Sequence, residues 1–411
     1  MTHPQRSLFK GLLPAMLLVS TLGTLTAPAA DWPMYRGPRQ DGISPEKDWR
    51  TQWPEGGPPV AWKAEIGTGF CIVSVSQGRV YTMGNKEETD LVYCFDEASG
   101  KELWRYSYPC KLDPRNFEGG PCATPTVAGG RVYTFSRFGH LHALDAATGK
   151  VVWSKNVMED AGAKRPTWGF SGSVLIEGNL AIVNAGKSGM AFHKDTGALV
   201  WKSEGTCGYS TPVPFNHEGT RAVALFSASS VLAVAVADGR VLWEHPWKTD
   251  WDVNAADPII VGNKVFISSG YNRGCALLEV KGNQVRTLWE NKNMRNHFAN
   301  CVLVGDYLYG FDGQTGGGSL KCLDFRTGET KWSQSGLTTG GLMVAGGKLV
   351  GLGDRGRLFV AEATPEGYRE LARANILDSK KCWTMPVLVN GRLYARNNSP
   401  GDLVVFDVRA K

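Results

Sequence analysis

Apolar positions along this chain come in short runs that alternate with polar ones at a period of two, and glycine turns separate the runs. Residues 125–153 show the pattern: Pro125-Thr-Val-Ala, Gly129-Gly130, Arg131-Val-Tyr-Thr-Phe, Leu141-His-Ala-Leu-Asp145, Ala147-Thr148-Gly149, Val151-Val-Trp153. Alternation over so few residues predicts half-buried strands rather than helices. Two-residue glycine turns between such runs are hairpin signals. The stretch reads as four antiparallel strands, A to D.

The same unit recurs. Ala143–Trp153 has clear copies at Cys94–Trp104 and Cys322–Trp332, and looser ones at Ala191–Trp201, at Ala233–Trp243 and ending at Trp289. Trp62, Trp104, Trp153, Trp201, Trp243, Trp289 and Trp332 lie 42 to 49 residues apart, and an eighth equivalent falls near Leu371 without its Trp. In phase with them run the turn glycines Gly78, Gly130, Gly178, Gly219, Gly262, Gly305, Gly346 and Gly391. Two signals agreeing on eight repeats of four strands predict an all-β, eight-bladed β-propeller with antiparallel blades. Residues 383–407 supply strands A to C of the last blade, and Val60-Ala61-Trp62-Lys63 supply its strand D. The ring is then closed by its two ends, leaving no open edge, and residues 31–411 are one domain. Each Trp is expected to pack between blades. Gly100, Gly149, Gly197, Gly239 and Gly328 are expected to provide the positive φ of the C–D turn, capped by Asp and Thr side chains.

Composition supports this reading and narrows the function. Fifty glycines, 21 prolines and 14 tryptophans suit many tight turns, and 42 % hydrophobic against 20 % charged residues excludes global disorder. Arg6 and Lys10, an apolar stretch from Gly11 to Leu25 and the small residues Ala27-Pro28-Ala29 read as a signal peptide over residues 1–30. Export to the periplasm or beyond follows, with no integral membrane span, since Pro14 and Gly23 interrupt a stretch shorter than the ~20 residues a span needs. The formal charge of +6 falls to near +4 without Arg6 and Lys10. That is too weak and dispersed for nucleic acid. A monomer is expected.

The pattern A-x-D-x-x-T-G-x-x-x-W, nearly complete at 143–153, resembles the tryptophan-docking motif of PQQ-type eight-bladed propellers. The opening Asp31-Trp32-Pro33-Met34-Tyr35-Arg36-Gly37-Pro38 and the block Trp251-Asp252-Val-Asn254-Ala-Ala-Asp257-Pro258 resemble secreted PQQ-binding-like repeat proteins. The resemblance implies the fold and two kinds of relative. One comprises quinoprotein alcohol dehydrogenases, which bind pyrroloquinoline quinone (PQQ) and Ca²⁺ in the funnel. The other comprises non-enzymatic scaffolds similar to the outer-membrane assembly protein BamB.

The enzyme apparatus is sparse. The resemblance implies a base, an oxygen cage for Ca²⁺ and usually a disulfide between adjacent cysteines, yet none of the nine cysteines is adjacent to another, and no C-x-x-C-H is present. Asp250 and Asp252 are the surviving candidates for a base and an ion ligand. Cys110 and Cys122 flank a long loop that a disulfide can bridge. Gly351-Leu-Gly353-Asp-Arg-Gly356 matches a phosphate-binding pattern but lies on an expected hairpin, where no helix N-terminus follows. His140 and His142 have no third metal ligand nearby in sequence. No metal site is expected.

In a propeller the D–A and B–C loops share one face, and here the D–A loops are long and carry Trp and Arg, the residues enriched at interface hot spots. Trp168, Trp251 and Trp383, each at or just before a strand A, are expected to converge on the funnel mouth. Trp168, Phe170, Trp251, Asn254, Arg273, His297, Trp383 and Arg396 form the candidate partner-binding set, for a protein, peptide or glycan. Two readings stand: a binding scaffold without a cofactor, or a PQQ- and Ca²⁺-dependent oxidoreductase.

Overall fold

The computed structural model describes residues 1–2, 30–314, 317–379 and 381–410. The signal sequence expected over residues 1–30 lies outside them, apart from its ends. Four-stranded antiparallel blades follow one another around a ring, eight in all. Blade 1 is Ser74–Ser76, Arg79–Lys86, Thr89–Asp96 and Glu102–Pro109, and blade 2 is Thr126–Ala128, Arg131–Phe135, His140–Asp145 and Val151–Asn156. Blade 3 then runs over 175–202, blade 4 over 213–246, blade 5 over 259–291, blade 6 over 302–335, blade 7 over 340–375, and blade 8 takes its strands A to C from 387–407. In blades 1 and 2, strands B and C are buried almost throughout, whereas strand D is largely exposed and keeps its Trp inward. That exposure puts strand D at the outer rim.

The ring closes where the sequence places the closure. Val60–Glu65 pairs antiparallel with Asp402–Asp407, Trp62 opposite Val405, and forms strand D of blade 8.

The tryptophans lace neighbouring blades. The indole N–H of Trp104 donates to the Ala146 carbonyl at 3.1 Å, and that of Trp153 to the Lys194 carbonyl at 2.8 Å. Trp62, Trp201, Trp289 and Trp332 make the same bond to the blade that follows. The rings of Trp62, Trp104, Trp153, Trp201 and Trp289 lie against the C–D turn glycine of that next blade, whereas among the described residues no turn glycine of blade 7 meets Trp332. A Cβ on Gly149 would stand 2.5 Å from Trp104, and one on Gly197 2.8 Å from Trp153. Gly100, Gly149, Gly197, Gly239 and Gly328 all have φ between 71° and 73°. So glycine is required twice over, by backbone sign and by the ring packed on it. Asp145 accepts from both the N–H and the hydroxyl of Thr148, capping the turn as expected.

Blade 5 departs from the rule. Its C and D strands, Gly274–Lys281 and Gln284–Asn291, join through a tight hairpin, and the buried Trp243 indole N–H has no partner. The eighth equivalent is Ala372, which pairs with Val360, one residue past Leu371.

The N-terminal segment does more than precede the first blade. Trp32 is buried and exchanges backbone hydrogen bonds with Val75 of blade 1 at 2.7 and 2.9 Å. The Pro33 carbonyl accepts from Val127 of blade 2, Gln40 donates to the Pro212 carbonyl beside blade 4, and Arg36 donates to the Cys301 carbonyl beside blade 6. Ile43–Ser44 then adds a fifth, parallel strand to the inner edge of blade 7. Residues 31–44 therefore touch inner strands around the ring and plug the central channel. All nine cysteines are free thiols, so the possible Cys110–Cys122 bridge is absent. Gly351 and Gly353 sit in a strand followed by strand Arg357–Glu362, as the hairpin reading requires.

Candidate functional site

A cavity of about 330 Å³ opens on the D–A/B–C loop face at the mouth of the funnel. Every blade except the seventh contributes to its lining. The floor comes from Tyr35 of the plug and Asp257 of blade 5.

The floor rests on a belt of hydrogen bonds. Two residues before strand A, six successive blades carry Ile72, Thr124, Ser173, Thr211, Asp257 and Asn300. The N–H of Ile72 donates to the Thr124 hydroxyl at 3.1 Å, that of Thr124 to Ser173 at 2.9 Å, and that of Ser173 to Thr211 at 3.1 Å. The N–H of Thr211 donates to Asp257 Oδ1 at 2.8 Å, and that of Asp257 to Asn300 Oδ1 at 2.6 Å. Inner-strand backbone that would otherwise be unpaired is thus satisfied by the next blade's side chain. The belt stops at blade 7, where the equivalent is Gly341. There a Cβ would meet Met385 Cα of blade 8 at 2.2 Å, so the backbones approach directly. A short polar residue before strand A in blades 2 to 6, in three of them followed by Pro (Thr124-Pro125, Thr211-Pro212, Asp257-Pro258), was the sequence signal for this belt.

Above the floor, aromatic rings run edge to edge around the mouth. Trp168 meets Phe117 at 5.8 Å between centroids, Phe117 meets Phe70 at 5.3 Å, and Phe70 meets Trp383 at 5.5 Å. Trp383 stacks on Phe298 at 4.6 Å, Phe298 meets His297 at 5.0 Å, and His297 meets Tyr271 at 5.0 Å. The Tyr209 hydroxyl lies 3.4 Å from the Trp168 N–H on the remaining side. Arg137 holds one flank: it donates to the carbonyls of Leu112 and Trp168, pairs with Asp113, and lies 4.9 Å over Phe117.

Asp257 is buried, and loss of hydration pushes its carboxyl up to about 6, against the opposing pull of Arg36. Arg36 Nη1 stands 3.9 Å from Asp257 Oδ2, while its hydrogen bonds go to the Cys301 and Asp41 carbonyls at 2.8 and 3.2 Å. His297 is held down to about 4 by burial, so it is neutral at pH 7.

The candidate residues separate into groups. Trp168, His297 and Trp383 line the cavity. Trp251 does not join them: it is 69 % exposed, with φ of 63°, on the rim between Asp250 and Asp252, which are also exposed. The loop turns through left-handed φ at both Trp251 and Asp252, and this swings the indole outward. Phe170 is fully buried against Phe135. Asn254 is fully buried, donating to the Ser227 and Trp247 carbonyls and accepting from Ser269. Arg396, 2 % exposed, donates to the Cys71, Met83 and Gly67 carbonyls between blades 8 and 1. Arg273 lies 3.5 Å over Trp247 and pairs with Glu290. These last four hold loops and blades together. The rings of Phe70, Tyr209 and Phe298 were missed, because only their place in the ring distinguishes them from core aromatics, while Phe117 and Tyr271 were legible only as residues of the loop face.

The lining fits PQQ and Ca²⁺ poorly. Among the described residues no Lys or Arg lines the cavity to match a tricarboxylate, and Asp257 is the lone carboxylate. Asp250 and Asp252 stand outside, and among the described residues no cluster of three or more His, Cys, Asp or Glu can hold an ion.

Fold and site define an eight-bladed propeller with a funnel-mouth cavity. A family model described as "Outer membrane protein assembly factor BamB" matches residues 88–334, more than half of the chain, and the protein belongs to that family. It is 24 % identical over 381 residues to the BamB of Shewanella oneidensis, covering 85 % of this chain and 88 % of the relative. It is 32 % identical over 145 residues to quinohemoprotein alcohol dehydrogenase ADH IIB of Pseudomonas putida, covering 32 % of this chain and 20 % of that enzyme. Among solved structures, BamB from Moraxella catarrhalis superposes with a TM-score of 0.62 at 15 % identity, covering 85 % of this chain and all of that one. The quinohemoprotein alcohol dehydrogenase of Comamonas testosteroni gives 0.66 at 15 % identity, covering 93 % and 81 %. Among the described residues no helix is long and apolar enough to cross a membrane.

Proposed function

We propose that the protein is an exported, periplasmic or secreted propeller scaffold that binds a segment of a partner protein in its funnel-mouth cavity, without a bound quinone. The observation that carries this reading is the aromatic ring around a cavity whose floor offers hydrogen-bonding groups but, among the described residues, no countercharges for a tricarboxylate. Concave sites with apolar walls and a few convergent polar groups are the usual form of a binding pocket. Membership of a family named for an assembly factor agrees with a binding role.

The quinone-dependent oxidoreductase reading rests on dehydrogenase relatives such as ADH IIB, which matches 32 % of the chain at 32 % identity. Position-specific photo-cross-linking in the producing cells tests the scaffold reading. A photoreactive residue at Asn116 on the cavity lip is expected to capture a partner, and one at Gly178 on the opposite face is not. Capture from Gly178 alone would refute the assignment of the binding face.

A further inference from the structure

The cavity chemistry narrows the ligand further. Aromatic faces attract cations through the ring quadrupole, most strongly where water is excluded, and rings that surround a small cavity are the common receptor for alkylammonium groups. Below this ring lies one carboxylate, Asp257, and among the described residues no cationic side chain lines the space. Arg36 compensates Asp257 only loosely, at 3.9 Å, because its hydrogen bonds are committed to backbone carbonyls. Asp257 accepts a single bond on Oδ1, from Thr211, and one from Asn300 on Oδ2 at 3.2 Å. Each oxygen therefore keeps acceptor capacity. The rings already hold cations on another side: Arg137 lies over Phe117 and Lys381 over Trp383, yet neither lines the cavity. An anionic ligand would meet the carboxylate and the negative ring faces together.

Resting on the reading of this cavity as a binding site, we infer that its ligand presents an organic cation, an alkylammonium head that enters the aromatic ring and faces Asp257. Two sources share that chemistry: a lysine side chain of a partner protein, or a free quaternary ammonium compound. Of the titratable groups around Asp257, Tyr35 is raised by burial and so stays neutral, and His297 is neutral above about pH 4; the Arg36 guanidinium stands 3.9 Å away. The Asp257 carboxyl, up at about 6, is the group that changes charge between pH 5 and 7.5. Binding of a cation is thus expected to strengthen over that range.

Calorimetric titration of the whole protein tests the inference with choline and its uncharged isostere 3,3-dimethylbutan-1-ol. Acetyl-Gly-Lys-Gly-amide and the same peptide acetylated on Nζ separate the two sources. Choline or the lysine peptide is expected to bind at least about tenfold more tightly than its neutral counterpart. The tighter of the two cations names the source. Asp257→Asn, which keeps the acceptor for the Thr211 N–H, is expected to weaken the cation about tenfold and leave the neutral probe unchanged. Phe298→Leu, which keeps an apolar wall, is expected to do the same by a smaller factor. Equal affinity for cation and isostere, or no saturable binding of either cation up to about 10 mM, overturns the cation assignment. In that event cross-linking from Asn116 still decides the binding face separately.

Discussion

Trp153 and Gly197 show how single residues set this architecture. The indole is 7 % exposed, donates to the Lys194 carbonyl, and lies on the Gly197 turn of the next blade. Trp153→Ala removes all three contacts, and a loss of ~3–5 kcal/mol in denaturant unfolding is expected. Gly197→Ala and Gly178→Ala form a matched pair. Both positions have positive φ, 71° and 57°, but an added Cβ meets Trp153 at Gly197 and open space at Gly178. Both are expected to lose roughly 1 kcal/mol for backbone strain, and Gly197→Ala to lose clearly more. Equal losses would show that Trp153 does not rest on the turn. The titrating residues oppose one another. His142, pushed down to about 4 by burial, and His297, likewise about 4, bind protons more weakly folded than unfolded, so their stabilising effect is lost as pH falls from 6.5 toward 4. Asp257, raised to about 6, binds its proton more tightly folded, so its contribution declines as pH rises from about 4 to 6. Between pH 4.5 and 7, His142→Phe is expected to flatten the rise of stability with pH, and Asp257→Asn to steepen it. Unchanged slopes in both would remove these two groups from the balance.

At the scale of elements, the blades were legible and the loops were not. Strand alternation, turn glycines and the Trp period each report local geometry repeated eight times, so repetition averages out local ambiguity. The Trp62–Val405 pairing followed because an unpaired strand edge is costly in any sheet. The cavity does not repeat. Trp168 and Trp383 were found as residues preceding strand A, but the same rule admitted Trp251, whose left-handed backbone turns it to solvent. Phe170, Asn254 and Arg396 look like recognition residues in sequence, and only the packing shows their partners to be backbone carbonyls and core rings. The plug was present as a motif, Asp31 to Pro38, with nothing in its sequence to show that it enters the channel. The belt is the element-scale feature with the sharpest consequence. Thr211→Val deletes the acceptor of the buried Ser173 N–H, and a loss of ~1–3 kcal/mol is expected by chemical denaturation. Thr211→Ser, which keeps the hydroxyl, is expected to restore most of it.

For the molecule as a whole, eight blades closed by the two ends of the chain give a rigid ring, and the plug turns its channel into a blind funnel. Deleting residues 60–65 opens blade 8 and removes Trp62 from the Glu97 carbonyl of blade 1. Loss of cooperative unfolding and aggregation are expected, observable by calorimetry and light scattering, because blade 8 then presents an unpaired edge. The rigid ring is what holds side chains from seven blades around one cavity of about 330 Å³. The proposed function makes that cavity a binding site rather than a quinone centre, and calorimetric titration of PQQ in the presence of Ca²⁺, followed by dye-linked alcohol oxidation on the same sample, tests this most directly. No stoichiometric heat and no turnover are expected. One quinone bound per chain with substrate-dependent dye reduction would contradict it.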